Sequence, residues 1–314
     1  MTRFLLRRVL FVVPVLFGVS VIVFSTVKII PGDPVALLAG PGASESAKDA
    51  LRSRLGLDRA LPIQYGHWLT SALRGDLGTS IAHQQPTRPL VVDAFDNTLI
   101  LTLYATVLAL VLGLTLGAVA ALRPRGIAGR ICSGITSIAV SAPQYSIALI
   151  FIIYLALRTG WFPVSGMHGV NGSGLGDLLW HGFLPALTAA LVPAGVIGRI
   201  FRAALLDVLG MDFVEALRSR GFSDRRVLLH AVHNTLPSLL TMAGLQVGYL
   251  LGGVVFVETI FNWPGLGLLL FQSISSRDLP VIQAGVLISA LAFVLINVLV
   301  DSAHALIDSR VRTA

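Results

Sequence analysis

Six long apolar stretches constrain this chain more than any other feature of its sequence. A transmembrane helix needs about 20 mostly apolar residues to cross roughly 30 Å of hydrocarbon. The composition agrees, because 55% of the 314 residues are hydrophobic and only 12% are charged. We therefore predict an all-α integral membrane protein with six transmembrane helices. The predicted spans are Val9–Ile29, Leu99–Leu122, Ser133–Leu157, Phe183–Ile200, Ser238–Val257 and Val281–Ala303.

The predicted spans divide the chain into three parts. We expect residues 1–30 to form a cytoplasmic N-terminus and an uncleaved first transmembrane helix, and residues 31–98 to form an extracytoplasmic loop with short helices. Residues 99–314 then form a five-helix transmembrane core with a long cytoplasmic loop at 201–237. Within that core, Pro143 is expected to kink the third span, because proline removes a helical hydrogen bond.

The placement of the arginines predicts the orientation. Cytoplasmic connections of membrane proteins carry an excess of Lys and Arg. The two short connections on the opposite side carry only Arg158 and Arg277, so we expect both termini and the 201–237 loop to be cytoplasmic. The same distribution accounts for the net charge of +7 without a nucleic-acid partner. The arginines assigned to the cytoplasmic side are Arg3, Arg7, Arg8, Arg123, Arg125, Arg130, Arg199, Arg202, Arg218, Arg220, Arg225, Arg226, Arg310 and Arg312.

A short capped helix is predicted between the fourth and fifth spans. Asp212, followed three residues later by Glu215, has the spacing of a capping box, in which each side chain accepts a hydrogen bond from an otherwise unpaired helix N–H. Arg218 and Arg220 fall in the last turn, where positive charge suits the helix dipole. Gly221 then supplies the left-handed residue that follows many helices.

This short helix is predicted to dock on a partner. Phe213, Ala216 and Leu217 fall on one side of it, and an amphipathic helix of this kind can lie in a groove of another protein. The alternative is a helix that lies in the headgroup layer of the membrane. A second helix is expected to begin at Ser223 and to end at Pro237.

Polar residues in the middle of two spans are candidates for a translocation pathway. Gln144 and Tyr145 follow Pro143 in the third span, and Gln246 and Tyr249 have a similar depth in the fifth. The alternative is that these side chains join helices, because amides often form hydrogen bonds between spans.

The sequence excludes a nucleotide-binding loop of the usual kind and carries no catalytic constellation. A P-loop needs Gly-Lys followed by Ser or Thr, whereas the only lysines, Lys28 and Lys48, follow Val and Ala. No metal site is predicted, although His230 and His233 are one helical turn apart, because no cysteine or carboxylate cluster accompanies them.

A self-contained channel or secondary carrier for a small polar solute is the alternative to a subunit powered by a partner. Carriers coupled to protons or sodium ions place ionisable residues near the middle of the bilayer. Here the acidic residues of the spans, Glu258 and Asp301, lie at span ends, which disfavours such a carrier.

Two groups of residues resemble a known family. Glu215-Ala216-Leu217, followed by Gly221 and by Leu236-Pro237, is similar to the EAA loop of the permease subunits of binding-protein-dependent ABC importers. Four further motifs resemble the branch that carries dipeptides, oligopeptides, glutathione and nickel. These motifs lie at residues 31–34, 55–58, 75–78 and 263–265.

The resemblance implies a set of partners and an activity. It implies a permease subunit in a plasma membrane, moving peptides or a similar small solute into the cytoplasm. Its partners would be a second, homologous permease subunit, two cytoplasmic ATPase subunits and an extracytoplasmic substrate-binding protein. ATP and Mg would be bound by the ATPase subunits, and no cofactor by this chain. The ATPase-coupling residues implied are Asp212, Phe213, Glu215, Ala216, Leu217, Arg218, Arg220 and Gly221.

Overall fold

The computed structural model of the chain describes residues 2–29, 42, 44–54, 58–170, 172 and 174–307, and within these ranges it confirms the all-α fold. Apart from an isolated β-bridge between Thr79 and Pro86, the described secondary structure is helical. The helices are α1 (Thr2–Ile29), α2 (Glu45–Arg54), α3 (Leu61–Leu73), α4 (Thr87–Leu122), α5 (Ile127–Ser141), α6 (Gln144–Phe151), α7 (Leu175–Leu209), α8 (Asp212–Ser219), α9 (Asp224–Ile260), α10 (Leu266–Ser276) and α11 (Leu279–Ile307).

Four of the six predicted spans lie in single helices that are long and apolar enough to cross a membrane. They are α4, α7, α9 and residues 279–300 of α11. The first predicted span lies in α1, whose apolar part, Val12–Thr26, is shorter. The motif at 31–34 and most of the motif at 55–58 lie outside the described residues.

The third predicted span is broken rather than kinked. Helices α5 and α6 meet at an angle of 111°, with Ala142 and Pro143 extended between them. The reason is local, because a residue that precedes proline is pushed from helical into extended backbone conformation. Beyond α6 the chain continues as a π-helical segment, Ile152–Arg158. The pair counts as a fifth span only if both helices together form one broken crossing.

One compact unit comprises Met1–Leu5, Asn97–Leu268 and Leu295–Ala314, and α7 is its most buried span. Of the apolar window of α7, 61% is buried, against 28% for α4. Glycines let α7 approach its neighbours closely: a Cβ on Gly117 of α4 would lie 2.6 Å from the carbonyl oxygen of Gly198, and one on Gly195 would lie 2.7 Å from that of Thr136. Small residues serve the same purpose in many membrane helix interfaces.

A second compact unit comprises Leu6–Asp96 and Leu269–Val294. In it α3 packs on α1 through aromatic rings, and the Ser20 Oγ lies 2.7 Å from the Tyr65 hydroxyl. The buried carboxylate of Asp278 accepts hydrogen bonds from the Ser80 hydroxyl and from the N–H groups of Ile81 and Ala82. The turn at 80–82 is therefore held to the start of α11.

The second helix of the cytoplasmic loop does not end at Pro237, as the sequence suggested. It continues as α9 from Asp224 to Ile260, with Pro237 inside it. Proline is tolerated within transmembrane helices, because neighbouring groups compensate the lost bond. The loop and the fifth span are consequently one continuous helix of 37 residues.

Candidate functional site

Helix α8 begins one residue earlier than a capping box would require, since that box needs Asp212 as the N-cap. Met211 is the N-cap, with extended backbone angles, and no side chain caps the helix. Asp212 is therefore the first helical residue, and the predicted capping box is wrong. The reason lies in the preceding turn, since α7 ends at Leu209 and only Gly210, its C-cap, and Met211 separate the two helices. Asp212 and Glu215 still place negative charge in the first turn, where it suits the helix dipole.

The end of α8 is a Schellman motif centred on Gly221, as its position predicted. Gly221 has a φ of +81°. The N–H of Phe222 donates to the carbonyl of Leu217 at 3.2 Å, and the N–H of Gly221 donates to that of Arg218 at 2.9 Å. This pair of bonds defines the motif. The turn fixes the angle at which the chain leaves α8 and enters α9.

Part of the apolar side of α8 packs on its own chain. Val214 is 1% exposed, and Phe213 and Leu217 are half-buried. Phe213 packs against a cluster that α4, α7 and α9 share, namely Ala121, Phe201, Leu205, Val208, Ala231 and Leu239.

The surface that α8 leaves exposed is mostly polar. Ala216 is exposed together with Asp212, Glu215 and Ser219. Met211, directly before the helix, is 50% exposed. Four exposed arginines belong to this helix, its cap and the first turn of α9, namely Arg218, Arg220, Arg225 and Arg226. This surface offers carboxylates and guanidinium groups to a partner, with a small apolar contribution.

The four pathway candidates are in different surroundings. Gln144 is half-buried, and its amide donates to the carbonyl of Thr188 in α7 at 3.3 Å, so it joins two helices, as the alternative interpretation proposed. Gln246 is half-buried in α9. Tyr145 and Tyr249 are 60% and 48% exposed.

A cluster at the far end of α9 was not predicted from the sequence. Glu258 is fully buried, and Trp263, only five residues later, is 1% exposed. Sequence reasoning placed Glu258 at a span end and Trp263 in a family motif, but gave neither a role. The signal was the combination of an acid at the end of an apolar run with a Gly-x-Gly sequence, Gly265 to Gly267, soon after it.

Among the residues that the structure describes, no group of three or more His, Cys, Asp or Glu side chains is arranged to hold a metal ion.

Comparison with known proteins agrees with a membrane transport subunit. The family described as "Binding-protein-dependent transport system inner membrane component" matches residues 113–313, and its N-terminal counterpart, "Binding-prot-dependent transport system membrane comp, N-term", matches residues 1–102. The chain belongs to this family.

Curated relatives and solved structures are also membrane transport proteins. The chain is 38% identical over 313 residues to the glutathione transport system permease protein GsiC of Escherichia coli O6:H1, and 37% identical to that of strain K12. Each match covers 99% of both chains. The fold resembles that of the MetNI methionine ABC transporter in an inward-facing conformation, with a TM-score of 0.57 and 19% identity over 70% of this chain and 96% of that one.

The family defines the class of activity. The chain is a multi-pass inner membrane permease subunit of an ABC importer for peptides or similar solutes, and it is a transport subunit rather than an enzyme. It works with ATPase and substrate-binding partners. A self-contained channel or carrier is therefore set aside.

Proposed function

We propose that α8 is the element through which this permease contacts a cytoplasmic ATPase subunit. The observation that carries the proposal is the construction of α8: its apolar side is anchored to the ends of α7 and α9, while its acidic first turn is exposed. A helix held in this way transmits force to the spans, because it cannot slide on its own core without losing the burial of Val214.

The contact residues follow from exposure. Asp212, Glu215 and Ala216 offer the carboxylates and the small apolar contact, and Arg218 and Arg220 offer positive charge beside them. Phe213, Leu217 and Gly221 support this surface from behind by fixing the position and the angle of α8. ATP and Mg belong to the ATPase, and this chain holds neither.

The proposed orientation places α8 in the cytoplasm, with both termini on the same side. The clustering of arginine supports it. The proposed assembly contains a second, homologous permease subunit, two ATPase subunits and an extracytoplasmic binding protein.

The proposed solute is glutathione or a short peptide of similar size. The support is the 37–38% identity, over 99% of both chains, to permeases named for glutathione transport. Glutathione is a peptide-like anion, so a pathway for it needs hydrogen-bond donors and acceptors for amide groups. Gln246 in α9 is the candidate for such a contact, because its side chain carries both a donor and an acceptor and is half-buried at mid-span.

Uptake into proteoliposomes tests the solute. The permease is reconstituted with its ATPase subunits and supplied with its binding protein and radiolabelled glutathione, with ADP in place of ATP as the control. We expect saturable uptake of glutathione in the samples with ATP and none in the samples with ADP. A binding protein that takes dipeptides and not glutathione would refute this solute while leaving the importer class intact.

A further inference from the structure

The end of α9 remote from α8 is tied to α4 by a buried carboxylate. Glu258 accepts a hydrogen bond from the Thr98 hydroxyl of α4 at 2.6 Å. Its other oxygen accepts from the N–H of Gly267 at 2.6 Å and from that of Leu268 at 3.2 Å. The Thr98 oxygen in turn accepts from the N–H of Leu266 at 2.8 Å. Glu258 and Thr98 together thus satisfy the first three N–H groups of α10, which would otherwise lack partners.

Trp263 and Phe261 tie the same end of α9 to two more elements, α7 and the connection that precedes it. The indole N–H of Trp263 donates to the carbonyl of Asn97 at 2.9 Å, and the Asn97 amide donates to the carbonyl of Pro264 at 2.9 Å. The ring packs beside Gly182 of α7, where a Cβ would lie 3.4 Å from it. The N–H of Gly166, in the connection between the π-helical segment and α7, donates to the carbonyl of Phe261 at 2.9 Å.

The sequence is fitted to this arrangement. A Cβ on Gly267 would lie 2.6 Å from the Cα of Val255 and 2.8 Å from a carboxylate oxygen of Glu258, so no other residue fits there without displacement. Burying a carboxylate is costly unless its hydrogen bonds are made, and Glu258 receives three of them. Such a network keeps its parts in one arrangement.

Helix α9 connects this cluster with α8. It has 37 residues, which correspond to about 55 Å at the rise of an α-helix. At one end Ala231 belongs to the cluster that Phe213 of α8 packs against. At the other end stands the carboxylate of Glu258. The two ends of a single helix are therefore each fixed to α7 or α4 by buried contacts.

We propose that Thr98, Glu258 and Trp263, the Glu258 cluster, are positioning residues that make the remote ends of α4, α7 and α9 move as one body when α8 is displaced. The proposal rests on the proposed role of α8 as the ATPase contact. A displacement of α8 then moves α9 along its whole length. The Glu258 cluster transmits this movement to the neighbouring spans and to the connection that contains Gly166. Without the cluster, α9 still moves but its neighbours do not follow.

A matched pair of variants at Thr98 tests the proposal. Thr98→Ser keeps the hydroxyl that donates to Glu258 and accepts from the N–H of Leu266. Thr98→Val keeps the shape of the side chain but has no hydroxyl. The reporter is Val164→Cys in a Cys132→Ser background, because Val164 is 40% exposed and lies near Gly166 in the same connection. The permease is assembled with its ATPase subunits in proteoliposomes. The rate of labelling by a membrane-impermeant maleimide is then measured with and without ATP trapped by vanadate.

We expect trapping to change the labelling rate by about fivefold in the Thr98→Ser complex and in the complex with native Thr98, the factor that corresponds to a free-energy change of about 1 kcal/mol. In Thr98→Val the change should be lost while basal ATP hydrolysis stays. Glu258→Gln, which keeps the size of the side chain but has only one acceptor oxygen, should lie between them.

Three results would overturn the proposal. One is a labelling rate that still responds to trapping in Thr98→Val, when Gly221→Val, in the turn before α9, abolishes that response. Another is the absence of any response with native Thr98. The third is failure of both Thr98→Val and Glu258→Gln to assemble while Thr98→Ser assembles, which would make the cluster a folding element alone. If Gly221→Val itself leaves the response intact, the contact role of α8 fails instead.

Discussion

Gly221→Val isolates the turn between α8 and α9. No described atom lies within 4 Å of the place where a Cβ on Gly221 would stand, so the substitution causes no collision. Its cost is conformational, because the φ of +81° lies in the left-handed region. That region costs an L-residue roughly 1–2 kcal/mol, and a β-branched residue is disfavoured there most.

The strain is relieved where the structure is weakest. Fully burying a valine side chain contributes about 1.5–3 kcal/mol, so the anchor of α8 at Val214 resists release. The two Schellman bonds, from Phe222 and Gly221, each contribute about 1 kcal/mol and share the strain. We therefore expect α8 to stay on its core while the turn opens and the angle between α8 and α9 changes.

The assay is the rate of ATP hydrolysis by the reconstituted complex, with and without loaded binding protein. Gly221→Val should insert and assemble, but the binding protein should no longer stimulate hydrolysis. Gly221→Asn is the matched control, because asparagine tolerates the left-handed conformation, and it should keep most of the stimulation. Normal stimulation in the Gly221→Val complex would mean that α8 is not the coupling element.

Two further predictions concern orientation and pathway. In intact cells, after Cys132→Ser, Ser219→Cys should be shielded from an impermeant thiol reagent and Ser53→Cys should react; labelling of Ser219→Cys from outside would reverse the orientation. Gln246→Leu should lower transport and leave assembly intact, whereas Gln144→Leu, which loses an interhelical hydrogen bond, should lower the melting temperature of the complex in detergent. The opposite pattern would assign Gln246 to helix packing and Gln144 to the pathway.

Much of the fold was predictable because hydropathy and backbone chemistry are local. The apolar runs located α4, α7, α9 and α11, and Gly221 located the end of α8. The fourth predicted span contains Pro185 and Pro193, yet its helix, α7, is the most buried of the four long spans that the structure describes. Prolines and small residues suit a helix whose neighbours are protein rather than lipid, and a sequence does not state which neighbours a helix has.

The predictions that were wrong concern the junctions between helices, where the outcome depends on how one helix joins the next and not on local sequence alone. The spacing of Asp212 and Glu215 fits a capping box, but the length of the Gly210–Met211 turn made Met211 the N-cap. Pro143 predicted a bend without its size of 111°. Pro237 has the local chemistry of a helix end, yet α9 continues through it into the fifth span.

A sequence does not state which way a surface helix faces. The spacing of Phe213, Ala216 and Leu217 predicts an apolar side of α8, but a pattern does not say whether that side meets another protein or the same chain. The structure packs Phe213 on its own chain and leaves Ala216 exposed. The same limit applies to Glu258, whose partner Thr98 lies 160 positions away in sequence.

The partial burial of its apolar side bears on the contact that we propose for α8. In that proposed contact a partner meets mainly Asp212, Glu215 and the nearby arginines, so recognition rests on charge more than on apolar area. Exposed charge pairs contribute little free energy each and are weakened by salt, so this surface alone cannot hold the complex firmly. It suits a contact that must shift during each transport cycle without detaching α8 from its own spans, because the apolar side that resists the pull lies within the chain. Force applied to a weak polar surface can then reach α9 through a strong apolar one.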